Sequence, residues 1–142
     1  MTCYILDTDH LSLYERAHPQ VCNRIVQSRR KSLDMLATTV VSMEEQYVGR
    51  LAQIRKADTP QALVNAYGKL KITFVLFSQL DILDYTLDAD RYFRSFRQAG
   101  IRIGTQDLRI AAIALAHNGI LLTRNLRDFE KVPKLSIQDW SI

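Results

Sequence analysis

Apolar residues along the chain fall into short runs of strand length, separated by longer stretches with helical period. Tyr4, Ile5 and Leu6 predict a short strand ending at Asp7; the polar Asp7-Thr8-Asp9-His10 breaks it, and a helix starts near Leu11. A second helix is predicted from Pro19 to Lys31, with Val21, Cys22, Ile25 and Val26 inward and Arg24, Arg29 and Arg30 toward solvent. Met35 to Thr38 reads as a strand and Val40 to Ile54 as a helix. Pro60 opens another helix, with Leu63, Ala66, Tyr67 and Leu70 inward. Its end stays open, because Ile72 to Phe77 suits helix or strand. Ile82 to Asp84 reads as a short strand, and a helix from Leu87 to Ala99 stops at Gly100.

The stretch from Gly104 to Phe129 organises the rest. Gly104 and Thr105 are loop and capping residues, and the Ile110 to Ala116 run is apolar over most of its circumference, so this helix is buried. Asn118 and Gly119 end it, Ile120 to Thr123 follows as a buried strand, and Leu135 to Ile137 is the last strand. Short apolar strands alternating with helices imply an α/β fold, a three-layer α-β-α arrangement around a central, mainly parallel sheet. With no internal repeat, low-complexity tract or Gly/Ser linker, residues 1–142 read as one domain.

Composition narrows the class without naming a function. Hydrophobic content of 47% and charged content of 24% over 142 residues suit a soluble domain with a sizeable core. No apolar run approaches the roughly 18 residues that span a bilayer, and MTCYILDTDH lacks the features of a secretory signal, so the expected location is cytoplasmic. Cys3 and Cys22 fit no zinc or redox motif and read as buried thiols. The net charge of +4 favours a polyanionic partner such as nucleic acid.

Acidic residues at the element ends carry the candidate chemistry. Asp7 follows the first strand, Asp107 opens the buried helix, and Asp128 follows the strand after it. The helix after the second strand holds two adjacent acids. Val41, Val48, Gly49 and Ala52 lie within about 60° of Glu45, which leaves room for a cleft, while Glu44 lies nearer Val40, Val48 and Leu51. Helical register alone does not choose between them. Ends of this kind meet in the crevice at the carboxyl edge of a parallel sheet. Carboxylates gathered there repel one another and call for a cation, and an all-oxygen set suits Mg²⁺ or Mn²⁺. Such a site suits phosphodiester hydrolysis by a metal-activated water. GxxxxGK[ST] is absent, which excludes the common NTPase loop. Asp9, Thr123 and Asn125 could orient water or a carboxylate, or Asp9 could be a local turn residue and Thr123 and Asn125 could satisfy strand-end backbone groups. His10, His18 and His117 are scattered and read as structural, and Tyr92, Phe93, Phe96 and Trp140 as packing residues. Arg91, Arg94 and Arg97 share a helix face and could meet RNA phosphates, partner carboxylates or solvent.

The segments YILDTDHLSL, VVSMEEQYVG, GTQDLRIAAIAL and LLTRNLRDFEKVPKLSIQDW, in this order, resemble the PIN-domain ribonucleases, specifically VapC-type toxins of bacterial toxin–antitoxin pairs. The family commonly places a Glu four residues before a Gly, which selects Glu45 over Glu44. The resemblance thus implies a PIN-like fold with Asp7, Glu45, Asp107 and Asp128 as the catalytic, metal-holding acids. It also implies Mg²⁺- or Mn²⁺-dependent endoribonuclease activity leaving a 5′-phosphate and a 3′-hydroxyl, with structured RNA such as tRNA or rRNA as substrate. Homodimerisation and inhibition by a small antitoxin protein follow from the same resemblance. Residues Gln53 to Tyr92 match poorly, and Lys134 stands where the family often has Gly. Two other readings are carried: a catalytically silent PIN module binding RNA or a protein, and a haloacid-dehalogenase-type phosphatase suggested by Asp7-Thr8-Asp9, in whose DxDx[TV] motif Leu11 is out of place.

Overall fold

Cys3–Leu6 (β1) is the central strand, and the rest of the sheet is laid down outward from it. The computed structural model describes residues 1–31 and 33–142. In chain order the following elements are Thr8–Glu15 (α1), Pro19–Arg30 (α2), Met35–Thr39 (β2), Val40–Lys56 (α3), Pro60–Ser78 (α4) and Asp81–Leu83 (β3). Then come Leu87–Gln98 (α5), Thr105–Ala116 (α6), Ile120–Leu122 (β4), Leu126–Phe129 (α7) and Ser136–Gln138 (β5). The strands form one sheet in the order β3-β2-β1-β4-β5, and every neighbouring pair is parallel, with Leu6 opposite both Thr38 and Leu122. The chain runs from β1 out through β2 and β3, then returns to the other side of β1 for β4 and β5. The strand order therefore reverses between β1 and β4, which is where open α/β sheets form a ligand crevice.

Alternating strand residues feed two cores, as the period-2 pleat requires. Cys3, Ile5, Ala37 and Leu121 join a cluster with α5 and α6, while Leu6 and Leu122 join one with α1, α2, α4 and Trp140. Leu108 and Ile110 to Ala114 are all fully buried, as the apolar circumference of this helix predicts. Gly119, in the turn from α6 to β4, permits this close packing, because a Cβ there would run into the Ile5 side chain and sit 3.3 Å from the Cys3 carbonyl.

Several expectations need correction. α1 begins at Thr8 rather than near Leu11, because the Asp7 carboxylate caps it by accepting the Thr8 N–H at 2.8 Å. In α2 the inward stripe is Val21, Ile25 and Ser28; Val26 is 51% exposed and Cys22 half-buried. α4 continues through Ile72 to Phe77 as helix and buries only Ala66, Thr73, Leu76 and Phe77, leaving Leu63 and Tyr67 exposed. The last turn of α5 ends at Gln98, and β3 and β5 are each shifted by one residue from the predicted Ile82–Asp84 and Leu135–Ile137. Lys134 has φ of 67°, the left-handed region that favours glycine. Among the described residues, no helix is long and apolar enough to cross a membrane.

Candidate active site

The acids of interest stand at the carboxyl edge of the sheet around the β1–β4 switch point. Asp7 leaves β1, donates its N–H to the Leu122 carbonyl at 3.0 Å and has only 5% of its surface exposed. Its Oδ1 accepts the Thr8 N–H, and its Oδ2 accepts the Thr123 hydroxyl at 2.8 Å from the end of β4. Burial, the neighbouring Asp9 charge and, more weakly, Asp107 push the Asp7 carboxyl up to about 7, against the lowering effect of those hydrogen bonds.

Glu45 enters from α3 and accepts the Thr8 hydroxyl at 2.9 Å on Oε1. Thr8 thus holds two of the acids, one through its amide and one through its hydroxyl. Glu44 is exposed instead and accepts the Gln106 side-chain amide at 2.7 Å, outside the crevice. The structure resolves the register question left open by the sequence: Glu45 faces the other acids. The bulky face proposed for Glu44 is not a core face, since Val48 and Leu51 are 61% and 46% exposed.

Asp107, in the first turn of α6, is half-buried and, among the described residues, makes no side-chain hydrogen bond. Burial raises its carboxyl above the usual range, and the charges of Glu45, Asp128 and Asp9 raise it further. Glu45, Asp128 and Asp9 thus all lie near enough to Asp107 for their charges to be felt there. Asp128 projects from α7, a one-turn helix too short for its period to show in the sequence. It accepts the Asn125 side-chain amide at 3.1 Å, and the Lys131 ammonium lies 3.6 Å away. Asp9 accepts the Arg124 N–H at 3.0 Å and lies 3.3 Å from the Thr123 hydroxyl, while Thr123 also accepts the Asn125 N–H at 3.0 Å. All seven candidate positions therefore meet at this edge.

Among the described residues, Asp7, Glu45 and Asp107 have no cationic side-chain partner. Excess negative charge and all-oxygen donors fit a hard divalent cation. As the side chains stand, no three His, Cys, Asp or Glu groups among the described residues are drawn close enough to hold one. The acids ring a shared edge, and each but Asp107 is engaged by a threonine, asparagine or lysine partner.

The arginines of α5 each find a partner within the chain. Arg91 pairs with Asp88, and Arg94 donates to Asp90 at 2.6 Å. Arg97 donates to the carbonyls of Ile101 and Ile103 and to the Thr105 hydroxyl, each at 3.1 Å, and so fastens the loop that delivers Asp107. The acid–arginine spacings of three and four residues in LDADRYFR are the sequence signal for the first two pairs. Sequence reasoning had no signal for the roles of Thr8 and Arg97.

A five-stranded parallel sheet between helical layers, with acids around its switch point, is the PIN-like three-layer α/β fold. Over 98% of this chain and 99% of the other, it superposes with a TM-score of 0.76 and 24% identity on a chain from the crystal structure of VapBC2 from Rickettsia felis bound to a DNA fragment from their promoter. In sequence it is 26% identical over 141 residues to the Ribonuclease VapC2 of Rickettsia felis, covering 96% of this chain and 97% of that protein. It is 34% identical over 67 residues to the tRNA(fMet)-specific endonuclease VapC of Salmonella typhimurium, covering 44% of this chain and 51% of that one. No protein-family model matches. The chain thus has the fold of the VapC structures and is similar over nearly its whole length to a protein named as a VapC ribonuclease.

Proposed function

We propose that the chain is a metal-dependent endoribonuclease, the toxin of a toxin–antitoxin pair. The observation that carries this reading is the convergence of Asp7, Glu45, Asp107 and Asp128, with two carboxyls raised by burial and mutual repulsion, at the switch point of a PIN-like sheet. These four residues would hold Mg²⁺ or Mn²⁺, which, when bound, makes a water nucleophilic near neutral pH and offsets charge on the phosphoryl oxygens. The chain's own contribution is orientation: Thr8 and Thr123 aim Glu45 and Asp7, and Asn125 aims Asp128. Arg124 and Arg127, exposed beside the crevice, are placed to meet RNA phosphates.

The substrate is structured RNA, tRNA or rRNA, a class supported by the tRNA(fMet) specificity named for the Salmonella relative. An antitoxin protein and a second copy of the chain are the expected partners, and the molecule acts in the cytoplasm as one domain, residues 1–142. Exposed Val48, Leu51, Val64, Ile72 and Phe74 on α3 and α4 supply the apolar surface that protein partners require. Purified protein should cut RNA with Mg²⁺ or Mn²⁺, leave 5′-phosphate ends and stop on EDTA addition. The alternative is a catalytically silent PIN module that binds RNA or a protein. RNA binding without cleavage across several divalent metals and RNA classes would select it.

A further inference from the structure

His10 is fully buried, and its two ring nitrogens face different parts of the fold. Nε2 lies 3.1 Å from the backbone nitrogen of Trp140, a group that only donates, so Nε2 must present its lone pair. The proton of the neutral ring then sits on Nδ1, 2.6 Å from Asp9 Oδ1, and the ring donates to that carboxylate. Asp139 Oδ1, at 3.6 Å from Nε2, is too far to compete for a hydrogen bond. The other oxygen of Asp9 accepts from Arg124 and faces the same Thr123 hydroxyl that donates to Asp7. On the far side, Trp140 is 4% exposed, its ring 4.8 Å from Tyr4 and 5.5 Å beneath the Arg24 guanidinium. A fixed point in the C-terminal tail is thus linked through one imidazole to a carboxylate at the crevice.

We infer that His10 is a positioning residue: held by the Trp140 amide, it orients the Asp9 carboxylate at the acidic site. This goes beyond the nuclease reading but rests on it for its kinetic consequence. Partners that orient a carboxylate at such a site typically carry about 10–100-fold in activity. The competing account makes His10 a core filler with satisfied polar atoms.

Two substitutions separate these roles. In His10→Asn the amide nitrogen takes the place of Nδ1 and keeps the bond to Asp9 while releasing Trp140; in His10→Gln the amide takes the place of Nε2, keeping the tail and releasing Asp9. If His10 positions Asp9, His10→Gln loses about 10–100-fold in kcat with KM little changed. His10→Asn then stays within about 3-fold of the parent chain, whatever its melting temperature. Adding His10→Gln to Asp9→Asn then costs nothing further. If both variants lose activity in proportion to stability, or His10→Gln keeps full kcat, the inference is overturned. A second readout needs no activity: ¹⁵N-edited NMR of the metal-free chain should show the His10 ring protonated on Nδ1, with a slowly exchanging proton that Asp9→Ala releases. An Nε2–H ring, or a proton indifferent to Asp9→Ala, refutes the arrangement. A parent chain that cleaves no RNA defeats the nuclease reading and the kinetic consequence drawn from it, and the NMR result still decides the His10–Asp9 arrangement by itself.

Discussion

Replacing Asp7 with Asn should make the metal-free protein more stable while destroying its activity. With a folded-state value of about 7 against an ordinary 3.8, the Asp7 carboxyl is harder to ionise in the fold than in the unfolded chain. At about 1.4 kcal/mol per pH unit, ionised Asp7 costs the fold about 4 kcal/mol above pH 7. The sign follows from linkage: a raised folded value means stability is retained below the unfolded value and lost as pH climbs through the folded one, here between about 4 and 7. Asn keeps one acceptor for Thr8 or Thr123 and forfeits the other, a loss of about 1–2 kcal/mol. The net gain at pH 8 is about 2–3 kcal/mol, and at roughly 3 °C per kcal/mol for a chain of this size it raises Tm by roughly 5–10 °C. At pH 5 the gain should nearly vanish, because only about 1.5 kcal/mol of that penalty has accrued between 3.8 and pH 5, about what the lost hydrogen bond costs. Calorimetric melting of both EDTA-treated proteins at pH 5 and pH 8 measures this directly. A variant equally stable, or equally destabilised, relative to the parent at both pH values would refute the reasoning.

Other consequences follow from the same structure. Millimolar Mn²⁺ should raise the Tm of the parent chain and leave that of Asp7→Asn almost unmoved, since binding to the native state relieves carboxylate repulsion; equal shifts in both would deny Asp7 a share in the site. Lys134→Gly should stabilise by roughly 0.5–1 kcal/mol, because φ of 67° strains any residue with a Cβ, and urea titration would show it as a higher midpoint at unchanged slope. Gly119→Ala should destabilise by at least about 1–3 kcal/mol as the new methyl group displaces Ile5 from the centre of the sheet; an unchanged urea midpoint would contradict the packing.

The layering was legible in the sequence because strands buried between helices read as short continuous apolar runs, and Tyr4 to Leu6 and Ile120 to Leu122 are of that kind. α6 was equally plain, its apolar residues covering the helix all round. α4 was not, because its apolar residues lie on an outward face as well as the inward one, and that erases the contrast on which a helical period depends. Val26 misled for a related reason: an apolar neighbour of a buried stripe need not itself be covered. At the site, Asp7 and Asp107 could be anticipated from their places at element ends. Glu45 could be separated from Glu44 only by family pattern until the Thr8 and Gln106 contacts fixed which side chain turns inward. His10 read as structural because its partners, Asp9 next door and Trp140 at the other end of the chain, form no recognisable spacing.

Cleavage of a defined RNA in Mn²⁺, compared across single neutral replacements, tests the central claim most directly. Asp7→Asn, Glu45→Gln, Asp107→Asn and Asp128→Asn, each shown to be folded, should lose at least about 100-fold, because each removes a charge proposed to hold the cation. Glu44→Gln, one residue away and engaged with Gln106 outside the crevice, should cut at the parent rate. Full activity in any of the four, or an equal loss in Glu44→Gln, would contradict the account.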